Sequence, residues 1–175
     1  MRSGNGVSAV LNARLYVLVG NCYDCATVLT PRLYRYDPVT NAWTARASAP
    51  HPHAGGAGGV IDGKFYVVGG SSSALDVYDP SSNTWSTKAS MPVTGSGQAA
   101  VIGKLLYVVT GRTDGKVEVY DPAVNRWSET AALPTPRSAF AVARLTTSDG
   151  HSKVAVLGGR TSTTPQMATH QVYTP

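Results

Sequence analysis

Three groups of residues in this 175-residue chain could do chemistry: a cysteine pair, a histidine pair and a scatter of arginines. Cys22-Tyr23-Asp24-Cys25 has the spacing of a disulfide-exchanging dithiol, or of half of a four-thiolate zinc site. The first needs a helix starting at the pair, and this stretch reads as a loop after a strand. The second needs another cysteine pair, and the sequence holds only two cysteines. Two free thiols are therefore expected, with a short-loop disulfide as the alternative in an oxidising compartment. His51-Pro52-His53 offers two imidazoles, but no third ligand is near in sequence. Both histidines are expected to sit in a solvent-facing loop, and no metal site is assigned. Sequence patterns that cradle phosphates, raise a nucleophilic serine on a sharp turn or place His-Glu on a zinc-binding helix do not occur. No catalytic residue and no cofactor are expected.

The arginines belong to a net charge of +5, carried by 15 Lys and Arg against 10 Asp and Glu. These basic residues are dispersed and form no Lys/Arg-rich run, which argues against a nucleic-acid partner. No apolar run approaches the roughly 20 residues needed to cross a bilayer, so no membrane partner is expected. Met1 to Gly6 contains no apolar stretch of the kind found in a secretory leader. Charged residues make up only 14%, whereas Gly (18) and Pro (11) are abundant. That mixture suits short strands joined by tight turns and suits a helical bundle badly.

What must position these side chains is a repeat. Tyr36-Asp37-Pro38-Val39-Thr40-Asn41-Ala42-Trp43 recurs as Tyr78-Asp79-Pro80-Ser81-Ser82-Asn83-Thr84-Trp85 and as Tyr120-Asp121-Pro122-Ala123-Val124-Asn125-Arg126-Trp127, each copy 42 residues after the last. A degraded fourth copy is Val172-Tyr173-Thr174-Pro175. Each repeat reads as four strands. In the second, residues 56–61, 64–68 and 74–78 are apolar runs, and Thr84-Trp85-Ser86-Thr87 begins the last strand. Asp62-Gly63 signals a two-residue type I′ hairpin between the first two. Repeats one and three use Asn12-Ala13 and Gly103-Lys104 at that place, and repeat four expands it to Thr146–Ser152. In the Asp-Pro-x-x-Asn turn, Asp accepts backbone amides, Pro presets the first turn residue and Asn tolerates the left-handed conformation. A four-stranded meander repeated in this way hides its two faces only by stacking on its neighbours, which predicts an all-β propeller. Trp43, Trp85 and Trp127 are expected to wedge between blades, and truncating one should cost about 3–5 kcal/mol.

Glycine doublets close the second strand at Gly69-Gly70 and Gly158-Gly159, with the variants Val19-Gly20 and Thr110-Gly111. A Tyr and then a Trp follow. This glycine–tyrosine–tryptophan order resembles the kelch repeat, and the resemblance covers essentially the whole chain. It implies a single kelch-type propeller domain over residues 1–175, with blades at approximately 2–50, 51–92, 93–134 and 135–175. The last lacks its outer strand. Kelch propellers usually close with about five to seven blades, so the sequence is expected to be a piece of a longer protein; a tight four-blade ring, or two chains completing one larger ring, is the alternative.

The meander also sorts the loops onto two rims. Loops between blades and after the doublets carry Arg2, Arg32, Arg112, Lys116, Arg137 and Arg160 against Asp24 and Asp114. The hairpins and Asp-Pro turns carry five basic residues (Arg14, Lys64, Lys104, Arg126, Lys153) against five acidic. The first rim, which also holds Tyr23, His51 and His53, is therefore positive and suits an acidic peptide, a protein or a glycan. The kelch resemblance implies that an Arg just before a blade's first strand contacts peptide. Arg2 and Arg137 match that place, whereas repeats two and three have Pro52-His53 and Val93-Thr94 there. Candidate ligand contacts are thus Arg2, His53, Arg112, Arg137 and Arg160. A copper radical oxidase resembling galactose oxidase is the alternative, but its Tyr/His metal set and Cys-linked Tyr find no place in this sequence.

Overall fold

The computed structural model describes residues 3–4, 6–19, 21–22, 31–161, 163 and 169–173. The chain is all-β and forms four propeller blades, grouped as two compact units, 1–96 and 97–175. The first unit opens with β1 (Ser3–Gly4), which pairs with β4 (Asn21–Cys22) as a small ribbon. Its first blade is the antiparallel meander β2 (Val7–Leu11), β3 (Arg14–Leu18), β5 (Leu33–Asp37) and β6 (Ala42–Arg46). The second blade is β7 (Ala57–Ile61), β8 (Lys64–Val68), β9 (Leu75–Asp79) and β10 (Thr84–Lys88). In the second unit, β11 (Gly97–Ile102), β12 (Leu105–Thr110), β13 (Val117–Asp121) and β14 (Arg126–Thr130) make the third blade. The fourth has three strands among the described residues: β15 (Ala141–Thr146), β16 (Ser152–Leu157) and β17 (His170–Tyr173).

Burial follows position within the blade. Phe65 to Val68 on β8 and Leu106 to Thr110 on β12 are buried on both faces, so these strands read as unbroken apolar runs. The outer strands β10 and β14 are polar and mostly exposed. In the first unit, Phe65, Val67 and Tyr78 of the second blade pack on Val7, Tyr16, Leu18 and Leu33 of the first. Trp85 joins this layer and donates its indole N–H to the Ala47 carbonyl at 2.8 Å, so it wedges between blades as the repeat predicts. Trp43 does not. It lies over Tyr36 (centroids 5.1 Å apart) and is 54% exposed. In the second unit, Tyr107, Val109, Val117 and Val119 pack on Val142, Val154 and Val156.

The Asp-Pro-x-x-Asn turn has one geometry in all three complete copies. An oxygen of Asp37, Asp79 or Asp121 accepts the backbone N–H two residues on, at 3.1, 2.9 and 2.9 Å. Asn41, Asn83 and Asn125 take φ of 51°, 55° and 51°, the left-handed region that Asn tolerates. Their side-chain oxygens accept the hydroxyls of Tyr36, Tyr78 and Tyr120 at 2.7–2.8 Å. The repeated Tyr and Asn are thus one hydrogen-bonded unit, which explains why they recur together. The doublets are equally constrained. Gly70 has φ 76°, and a Cβ there would run into the Ala54 carbonyl oxygen. Gly159 has φ 97°, with the Ser138 carbonyl oxygen 2.7 Å from a built Cβ.

Candidate functional site

The rim of the second unit is built from three loop segments. After β12 the chain turns at Arg112–Gly115, closed by a 3.2 Å bond from Gly115 N to Arg112 O and another of 2.8 Å from Leu133 N to Gly115 O. Arg112 is exposed there and pairs with Asp114 at 3.2 Å. After β16 the Gly158-Gly159 doublet delivers Arg160, whose backbone exchanges two 2.9 Å bonds with Ser138. That bridge sets exposed Arg160 next to Arg137. The three arginines meet at a shallow depression of about 80 Å³, with Thr113, Ser138 and Thr161 beside them.

Arg137 stands behind this surface and is 3% exposed. Its Nη1 donates to the carbonyls of Gly158 (3.0 Å) and Thr169 (3.1 Å), and its Nε to that of Thr135 (3.3 Å). With its amide oxygen turned inward, Gln171 accepts from Nη2 at 3.2 Å. The guanidinium therefore ties the segment before β15 to the doublet and to the start of β17.

His53 holds the corresponding place before β7. It too is buried, and its Nδ1 lies 3.2 Å from the Gly69 carbonyl, the first glycine of its own blade's doublet. Its Nε2 lies 3.1 Å from Asp76 Oδ2. Both ring nitrogens face acceptors, so both contacts are hydrogen bonds only when both nitrogens carry protons. Asp76 also accepts from the His51 backbone N–H (3.1 Å) and the Thr87 hydroxyl (2.8 Å), with His51 Nδ1 3.1 Å away. Burial alone would push the Asp76 carboxyl up, but the bonds from His53, Thr87 and His51 outweigh it and hold the group below the usual carboxylate range. The expectation of two solvent-facing loop histidines therefore fails for His53. The missing signal was Asp76, which lies 23 residues away and faces His53 only once β9 folds beside β8. Among the described residues no group of three or more His, Cys, Asp or Glu is arranged to hold a metal. Arg2 and Cys25 lie outside the described residues; Cys22 lies on β4.

A contrast appears one repeat on. Glu118 of β13 occupies the place of Asp76, is fully buried and, among the described residues, has no hydrogen-bond partner for either carboxylate oxygen. Its direct cross-strand neighbour is Glu129. Burial first, and then the Glu129 charge, push its carboxyl up.

Comparison with known proteins agrees with this geometry. The profile of the kelch motif matches residues 52–92, which is the second blade with its doublet, Tyr78 and Trp85. The second blade thus carries a kelch motif. Two similar relatives are Kelch-like protein 23 of Pongo abelii and of Homo sapiens. Each is 31% identical over 73 residues, covering 42% of this chain and 13% of the relative. The matched kelch segment is thus a small part of those proteins' length.

Proposed function

We propose that this kelch-repeat chain is a non-catalytic interaction module that takes an acidic peptide, protein segment or glycan on its basic loop rim. One observation carries the reading: exposed Arg112 and Arg160 flank a depression edged with hydroxyls, and the bridge to Ser138 holds one of them in place. A guanidinium donates two parallel hydrogen bonds to a carboxylate or sulfate, which suits acidic groups presented by a partner. Arg137 supports the surface from behind, with its donors committed to carbonyls.

The test is fluorescence anisotropy of a labelled Glu-rich peptide against the wild type and the Arg112→Glu/Arg160→Glu variant. Arg137 is left intact because reversing a buried charge would unfold the blade. Affinity is expected to fall roughly tenfold, about 1.4 kcal/mol, with weaker binding at high salt. Equal affinity for both proteins removes the proposal.

A further inference from the structure

A second feature lies in the first unit, on the rim of hairpins and Asp-Pro turns. A cleft of about 440 Å³ opens between the first two blades, and its charged lining is Arg14, Arg35, Arg46 and Lys64 against Asp62 and Asp79. Two of these cations are already used: Arg14 pairs with Asp37 at 2.9 Å, and Lys64 pairs with Asp79. Arg35 and Arg46 differ. The Nε of each is buried and meets no hydrogen-bond acceptor among the described residues.

Their placement makes this unusual. Arg35 pairs across the sheet with Thr44, and Arg46 pairs with Leu33. The two arginines are therefore diagonal neighbours on one face of adjacent strands, roughly 7–8 Å apart at the backbone. Like charges placed as close neighbours on one sheet face repel each other. Both fields also reach one point: the Tyr78 hydroxyl, pushed up by burial, is pulled down by Arg46 and by Arg35. Both arginines also line the same cleft.

We infer that this cleft is an anion site in which Arg35 and Arg46 together clamp one phosphate-type oxyanion, free or carried on a small ester. A dianion answers two unpaired cations, and its oxygens supply the acceptors that both buried Nε–H groups lack. The cleft volume falls in the range of small-ligand sites. This site is separate from the loop rim of the second unit and does not depend on what that rim binds.

The experiment is a titration of the ¹⁵N-labelled full chain with inorganic phosphate, following arginine Nε–H cross-peaks, with a parallel titration by glycerol 2-phosphate. Saturable shifts confined to the Arg35 and Arg46 signals are expected, and the tighter of the two probes tells a free ion from an esterified one. Arg35→Gln/Arg46→Gln should weaken the binding at least roughly tenfold, whereas Arg144→Gln, at an exposed position outside the cleft, should leave it unchanged. Shifts that never saturate, or that spread evenly over all arginines, overturn the inference. Unaltered binding by Arg35→Gln/Arg46→Gln does so as well. The wild-type titration decides the matter even if that variant fails to fold.

Discussion

Replacing Asp76 by Ala should destabilise the first unit far more than the loss of one carboxylate at a surface. Four contacts converge on the carboxylate, from the His51 backbone, the His51 ring, the His53 ring and the Thr87 hydroxyl. His51 and Thr87 are accessible enough for water to replace what they lose. His53 is buried, so its Nε2 is left without a partner. Leaving a buried donor without its acceptor costs about 1–3 kcal/mol, more where the acceptor was charged, so with three of the four contacts partly replaceable by water a loss of about 3 kcal/mol applies. At about 2–4 °C per kcal/mol for a chain of this size, the melting temperature should drop by about 6–12 °C. The sign with pH is also fixed. The folded carboxyl lies below its unfolded value of about 3.9, so its stabilisation is complete above that pH and disappears as pH falls through the folded value. Urea unfolding followed by tryptophan fluorescence at pH 6 and at stepwise lower pH measures the gap between wild type and Asp76→Ala. The gap should be widest at pH 6 and close below about pH 4. A gap under about 1 kcal/mol at pH 6, or one that widens in acid, refutes the reasoning.

Trp85→Ala should cost about 3 kcal/mol, because it removes an inter-blade side chain and its bond to Ala47, while Trp43→Ala should cost under about 1 kcal/mol. Urea midpoints of the two variants check this, and equal losses would contradict the packing described. Glu118→Met should raise stability by about 1–2 kcal/mol at pH 7.5, since it removes a buried carboxylate without partners among the described residues. The folded Glu118 carboxyl is raised, so its penalty grows as pH climbs through that value and is absent below about pH 4.3. The gain should therefore vanish at pH 4, and denaturation midpoints at both pH values decide it.

The fold was legible because each blade repeats its own chemistry. Asp, Asn and Tyr at fixed offsets are local signals, and the hydrogen bonds inside each turn span only two to five residues. Side-chain environments that depend on pairing between strands were less visible. Asp76 and Glu118 hold the same repeat position with opposite outcomes: the first is met by two histidines and a threonine, the second faces Glu129. Assigning the turn rim no net charge likewise missed Arg35 and Arg46, because they sit within strands and reach the rim only through their side chains. Arg137 was singled out by position, yet its burial comes from carbonyls brought to it by a doublet 21 residues on and by the strand after it.

Asn83 does one job more than a turn residue needs. The oxygen that receives the Tyr78 hydroxyl also receives the Ala47 backbone N–H of the preceding blade, at 3.1 Å, beside the point where Trp85 grips the Ala47 carbonyl. A single residue, just past the end of β6, is thus held through both its N–H and its carbonyl by the corner of the next sheet. In a stack whose stability is a sum of unit terms and neighbour terms, this places part of the neighbour term inside a hairpin corner. Loosening that corner would uncouple two sheets, so the first pair of blades should melt as one cooperative body.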